Sequence, residues 1–323
     1  MQVITAERPW ARRTPSTNLS RDVGYQPHTG KFGIITGGSR GIGEAISKNL
    51  ASKGCSLLLI YTSDSSAEPT QRLCEELQST YGSVCIPLQA DLSDPTRSAP
   101  YIVDVAKSKF AHPRSGEFQI DILINNAGIA GNKTLNDPQA GPIEITQFDK
   151  QYHVNVLAPL LLTQACEPYL PKDRSGRIVN VSSVSSSIGC EGQSIYAGTK
   201  AAVEAMTRVW ARELAERCTV NCINPGPVWG DMYAQAGKEF WDINQKYVDG
   251  APLMAYNGEE HIKARAGGNP EEYHKTVTEG MGSKRPGFTD EVAGVVGMLC
   301  SEESGWTTGS VICANGGMKM SIA

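Results

Sequence analysis

Residues 31–50 read KFGIITGGSRGIGEAISKNL. Phe32–Thr36 is a short apolar strand, a glycine-rich turn follows it, and a helical pattern runs on through Leu50. A strand that passes through such a turn directly into a helix is the opening unit of a dinucleotide-binding α/β domain. Gly37, Gly41 and Gly43 let the backbone turn tightly and approach a pyrophosphate. The helix N-terminus offers that group N–H donors and the positive end of its dipole. Glycines alone also serve ordinary turns; the position between strand and helix is what gives these weight.

The alternation of strand and helix continues outward from this unit. Cys55–Tyr61 (CSLLLIY) is continuously apolar, as a strand covered on both faces is. A helix over about 68–80, a strand at Val84–Gln89, a helix over about 96–110 and a strand at Ile120–Asn125 come next. A helix at Thr146–Tyr169, a strand at Arg177–Val181, a helix at Tyr196–Arg217 and a strand at Thr219–Ile223 follow. After an irregular stretch, a helix at Thr289–Cys300 and a strand at Ser310–Ala314 complete the pattern. This predicts an α/β fold, a single doubly wound parallel sheet with helices on both faces and right-handed crossovers. No repeat or linker divides residues 31–323. Residues 1–30 carry Arg8, Arg12, Arg13 and Arg21 among prolines without strand or helix period, and read as a flexible arm or surface strap.

Composition narrows the classes. With 40% hydrophobic and 20% charged residues over 323 positions, a packed core is expected and global disorder is excluded. A net charge of −4 argues against a nucleic-acid surface, and no apolar run reaches the roughly 18–20 residues of a membrane span. Nine cysteines without a CxxC pair and five histidines without metal spacing argue against a disulfide scaffold and a metal site. A cytoplasmic location is expected. The Arg-rich, acid-poor first 30 residues keep a mitochondrial presequence as the minor alternative.

Two further stretches carry chemistry. The second strand ends in Tyr61-Thr62-Ser63, where an acidic residue would read the ribose 2′-hydroxyl of NAD. Its absence, and Arg40 in the glycine turn, favour NADP(H) over NAD(H); Asp64, just beyond, is the contrary sign. Tyr196 and Lys200 (YAGTK) lie four apart on one helix face, so an ammonium can favour the phenolate and lower the phenol pKa. Ser183 follows a strand whose C-terminal end should open into the ligand crevice.

TGGSRGIG, NNAG at Asn125–Gly128, HVNV around Asn155, VSS ending at Ser183, YAGTK and INPGPV at Ile223–Val228 occur in one order. The chain thereby resembles the short-chain dehydrogenase/reductase family over about 31–317, in the style of fungal secondary-metabolism reductases. That resemblance implies a Rossmann-type fold, an NADP(H) cofactor, a small-molecule substrate and a homo-oligomer, tetramer or dimer. It implies Tyr196 as the acid/base, Lys200 as its partner on the nicotinamide ribose, Ser183 as the residue orienting the substrate oxygen, and Asn155 as the holder of a relay water. Gly37, Ser39, Arg40, Gly41, Ile42 and Gly43 match the dinucleotide turn. Asp91 and Leu92 match the adenine pocket, Asn126, Ala127 and Gly128 the ribose wall, and Pro225, Gly226 and Val228 the nicotinamide-side segment. Gly230 departs from the family's usual Thr or Ser.

The segment over about 229–286 is longer than the family's usual substrate lid. Its Trp229, Met232, Tyr233, Phe240 and Trp241 suit a bulky apolar or aromatic, polyketide-like ketone, or else pack the insertion onto the body. The expected reaction interconverts a ketone and a secondary alcohol. The rivals are a non-redox enzyme of the same fold, such as a dehydratase, isomerase or cyclase, and a non-catalytic dinucleotide-binding protein.

Overall fold

A computed structural model describes residues 26–234, 237–267 and 269–320; the side chains of Asp231 and Met232 lie outside the described residues. β1 (Phe32–Thr36), α1 (Gly41–Ser52), β2 (Ser56–Tyr61), α2 (Ala67–Tyr81), β3 (Cys85–Gln89), α3 (Pro95–Phe110) and β4 (Ile122–Asn125) form the first half. A two-stranded antiparallel ribbon, β5 (Asn136–Asp137) and β6 (Gly141–Pro142), precedes α4 (Ile145–Tyr152) and α5 (Ala158–Cys166). β7 (Gly176–Val181), the one-turn α6 (Ser185–Ile188), α7 (Ser194–Glu213) and β8 (Cys218–Pro225) follow. The short helices α8 (Asp231–Ala234), α9 (Gly237–Val248), α10 (Glu260–Lys263) and α11 (Pro270–Lys275) lead to α12 (Thr289–Leu299) and β9 (Val311–Ala314).

Seven strands pair in parallel in the order β3-β2-β1-β4-β7-β8-β9. Both faces are covered. Phe32, Ile34, Leu58, Ile60 and Leu123 face one core, while Ile35, Leu57, Leu59, Ile122 and Ile124 face the other. This alternation within continuously apolar strands is what two helical layers demand. The chain reverses direction across the sheet between β1 and β4, so the crevice at the C-terminal ends of these strands is the expected ligand site of the fold.

Three readings need correction. The expected helix over Thr146–Tyr169 is broken by a π-turn at His153–Leu157 and ends in a 3₁₀ turn at Glu167–Tyr169. Pro159 has no N–H to give to the Asn155 carbonyl, and the wider turn absorbs that gap, with Ala158 donating to His153 instead. The helix expected to reach Arg217 stops at Glu213, where a tight turn brings the Arg217 N–H onto the Leu214 carbonyl at 2.8 Å. The stretch read as irregular after β8 is largely helical, in pieces punctuated by Gly237, Gly258, Gly267 and Gly282, all at positive φ.

The first 25 residues of the expected arm, 1–30, lie outside the described residues. Residues 26–30 form a turn docked on the end of α1, with the His28 N–H donating to the Lys53 carbonyl at 2.8 Å. Among the described residues no helix is long and apolar enough to cross a membrane.

Candidate active site

The glycine turn joins β1 to α1 as read from the sequence. Gly37 and Gly41 take positive φ of 63° and 57°. A Cβ on Gly43 would stand 2.0 Å from the Gly37 carbonyl oxygen, so only glycine closes this turn. A Cβ on Gly41 would meet nothing within 4 Å, which leaves the outer side of the turn open. Arg40, the residue before the first helical turn, makes no side-chain cap to the α1 N-terminus. A backbone cradle that a Cβ would fill, beside an uncapped helix N-terminus, fits a dinucleotide pyrophosphate.

Thr36 and Asn126, at the ends of β1 and β4, brace this turn. The Thr36 hydroxyl accepts from the backbone N–H groups of Asn126 and Ala127, both at 3.0 Å. The Asn126 amide donates to the carbonyls of Thr36 and Gly37 at 2.9 and 3.1 Å. At the end of β2, Thr62 and Ser63 are exposed and Tyr61 is half-buried. Asp64 does not point freely, because Gln89 donates to its carboxylate at 2.7 Å. Arg40 is exposed and forms no ion pair among the described residues. Asp91 is exposed and caps its own turn by accepting from the Ser93 N–H. Leu92 is 5% exposed and packs in the core, so only its backbone is left for an adenine pocket.

Asn155, Ser183, Tyr196 and Lys200 come together at the C-terminal edge of β4 and β7. Lys200 is buried and donates to the Val181 carbonyl at 2.8 Å, with its Nζ 5.6 Å from the centre of the Tyr196 ring. Burial brings its pKa down to about 8. The Ser183 hydroxyl, which donates to Ser185 at 3.2 Å, also draws the Tyr196 pKa down, yet burial outweighs it and holds the phenol above its ordinary value. That is the reverse of the direction expected from the Tyr–Lys spacing alone. At neutral pH the phenol is therefore protonated, the form that gives a proton to a carbonyl oxygen.

The Asn155 side chain is fully engaged. It accepts from the Ile129 N–H at 2.9 Å and donates to the Ile129 carbonyl at 2.8 Å and the Thr199 hydroxyl at 3.1 Å. Its backbone carbonyl is the one to which Pro159 has no proton to offer. Gly128 closes over this group: a Cβ there would lie 3.2 Å from Lys200 Nζ and 3.3 Å from Asn155 Oδ1. Pro225 accepts from the Val184 N–H at 2.9 Å, which ties β8 to the Ser183 segment. Gly226 lies against Asn315, Val228 forms a bridge to Gly287, and Gly230 stands in open space.

Glu204 was not singled out from the sequence. One of its oxygens accepts from both Ser182 (2.7 Å) and Ser186 (2.6 Å), and so clasps the segment that carries Ser183. Its position one turn beyond Lys200 on the same helix face is the signal that points to it.

The lid aromatics meet one another. Trp229 packs edge-on against Tyr273, Tyr233 contacts Phe240 and Trp241, and the Trp241 indole donates to the Tyr233 carbonyl. Tyr256, Tyr273, Val277, Met281 and Phe288 form the buried centre of this satellite core. The Met232 side chain lies outside the described residues. The insertion docks near the site through the Tyr247 hydroxyl, which donates to the Gly189 carbonyl at 2.9 Å.

The family model described as short chain dehydrogenase matches residues 31–240. The chain is 60% identical to an L-xylo-3-hexulose reductase of Hypocrea jecorina, over 92% of this chain and 99% of that one. It is 58% identical to an L-xylulose reductase of Aspergillus niger, over 90% and 97%. Among solved structures it superposes on a blue fluorescent protein from a metagenomic library in complex with NADPH. The TM-score there is 0.73 and the identity 28%, over 91% of this chain and all of that one.

Proposed function

Because the chain belongs to the short-chain dehydrogenase/reductase family, we propose that it is an NADP(H)-dependent reductase interconverting an open-chain ketose and the corresponding polyol. The observation that carries the reading is the Ser183–Tyr196–Lys200 set, half-buried at Ser183 and Tyr196 and buried at Lys200, beside a glycine cradle shaped for a dinucleotide. Near-full-length identity to two sugar reductases supports a ketose. So does the lid, whose aromatic side chains spend much of their surface on one another, which removes the main support for a polyketide-like substrate.

NADPH, when bound, supplies the hydride that reaches the carbonyl carbon. The chain's own residues do the rest. The open side of the glycine turn and the uncapped N-terminus of α1 hold the pyrophosphate. Arg40 pairs with the 2′-phosphate, and Gln89 holds the Asp64 carboxylate in place by a hydrogen bond. Ser183 donates to the substrate carbonyl oxygen, and Tyr196 delivers the proton that makes it a hydroxyl. Lys200, held by the Val181 carbonyl, presents its ammonium to the ribose and to the phenolate that the proton transfer leaves. The Asn155 backbone carbonyl holds the water through which that phenolate is reprotonated. The exposed apolar residues Ile145, Phe148 and Val209, on α4 and α7, support assembly into a homo-oligomer.

Tyr196→Phe tests the chemistry. Ketose reduction should fall by about 10²–10⁴-fold while NADPH titration is unchanged. Turnover within tenfold of wild type would refute the assigned role.

A further inference from the structure

A cavity of about 330 Å³ adjoins the residues assigned above. Its walls are the loop over 129–133, the inner face of α4 with Gln147, Lys150 and Gln151, and the start of α7 at Ile195. It meets the candidate site twice. Ile129 is fastened by both backbone groups to the Asn155 side chain, and Ile195 immediately precedes Tyr196.

The cavity is built rather than incidental. The Lys133 N–H donates to the Gly192 carbonyl at 2.7 Å, and the buried Gln193 amide donates to Asn132 Oδ1 at 3.0 Å. These two bonds clamp the opposing loops. Gln151 is only 6% exposed, yet its oxygen has no hydrogen-bond partner among the described residues. A Cβ on Gly131 would come within 2.9 Å of the Gln151 amide nitrogen, so glycine makes room for this side chain. A buried carboxamide oxygen without a partner is costly and rare in folded proteins, and points to a donor supplied from outside. Lys150 and Lys133 form no ion pair among the described residues, and the field of Lys133 is partly offset by Asp137. The lining therefore offers many donors and acceptors, two of them lysines without an ion-pair partner among the described residues, and the volume suits a small molecule.

We infer that this cavity is the subsite for the hydroxyl-bearing chain of the substrate. Gln151 recognises a hydroxyl, and Lys133 and Lys150 donate to hydroxyl oxygens at the mouth. The assignment rests on the ketose reading above.

Steady-state kinetics with NADPH on L-xylulose and on diacetyl, a small diketone without hydroxyls, tests it. Gln151→Leu should raise KM for L-xylulose about tenfold and leave kcat within about twofold. Diacetyl reduction should be unchanged. Lys150→Ala, at an exposed position, should raise the same KM about threefold; it decides the matter should Gln151→Leu fail to fold. An equal loss on both substrates, or an unchanged KM for L-xylulose, overturns the subsite while the ketose reading stands. Wild-type protein that reduces diacetyl but no ketose overturns the ketose reading, and the subsite with it. Preference for a phosphorylated ketose over the neutral one overturns the hydroxyl assignment in favour of an anion site.

Discussion

His28→Gln should remove an acid-sensitive element of stability. His28 has no exposed surface, and its turn is pinned to the end of α1. Burial, reinforced by the nearby charges of Lys31, Lys53 and Arg177, lowers its pKa from 6.5 to about 4. At about 1.36 kcal/mol per pH unit, that difference is worth about 3 kcal/mol. An unfolded histidine takes up its proton near pH 6.5, whereas the folded one resists until about pH 4. Between these values the unfolded chain binds more protons. Stability therefore falls as the pH drops from 6.5 towards 4 and is unaffected by this residue above that window. By about pH 4.5 the loss reaches about 2.5 kcal/mol. Urea unfolding followed by tryptophan fluorescence at about pH 7.5 and about pH 4.5 measures it. Carboxylates titrate in both proteins, so the quantity to compare is the acid-induced loss in wild type minus that in His28→Gln. A difference near 2.5 kcal/mol supports the argument. Equal losses would refute it and mean that water or a local opening solvates the ring.

Arg40→Ala should weaken NADPH about tenfold or more and NADH by less than about twofold, as read by cofactor fluorescence; equal losses would show that Arg40 does not read the 2′-phosphate. Gly43→Ala forces the Gly37 carbonyl away from a Cβ that would sit 2.0 Å from it, disturbing the Asn126 hydrogen bond to that carbonyl. NADPH affinity should drop at least about tenfold, and unchanged binding would mean that the turn is not the dinucleotide cradle. Glu204→Ala frees Ser182 and Ser186, so kcat should fall about tenfold with NADPH binding intact, and Glu204→Gln, which keeps an acceptor oxygen, should recover most of it. Equal defects in the two variants would show that the clasp does not act through its hydrogen bonds.

The order of strands and helices was legible in the chain because each element meets a local physical demand. The short apolar run ending at Thr36 (FGIIT) and the CSLLLIY run read as covered strands, and the glycines at 37, 41 and 43 sit where no Cβ fits or the backbone turns left-handed. Tyr196, Lys200 and Ser183 were legible for the same reason: their spacing on one helix face and at one strand end does not depend on the rest of the chain. Elements whose form depends on distant contacts were not. The π-turn at His153–Leu157 reflects one missing N–H at Pro159 within a sequence that otherwise reads as helix. The lid aromatics look alike whether they face a ligand or each other, and only the packing around Tyr256 and Tyr273 distinguishes the two. Burial, which sums over the whole fold, sets the direction of the Tyr196 pKa against the local expectation from Lys200. Glu204 and Gln151 acquire meaning only from partners brought to them, or withheld from them, by other elements. Local spacing determined which groups are available for chemistry; tertiary packing decided which of them are desolvated, engaged or left free, because those properties belong to the surroundings and not to the residue.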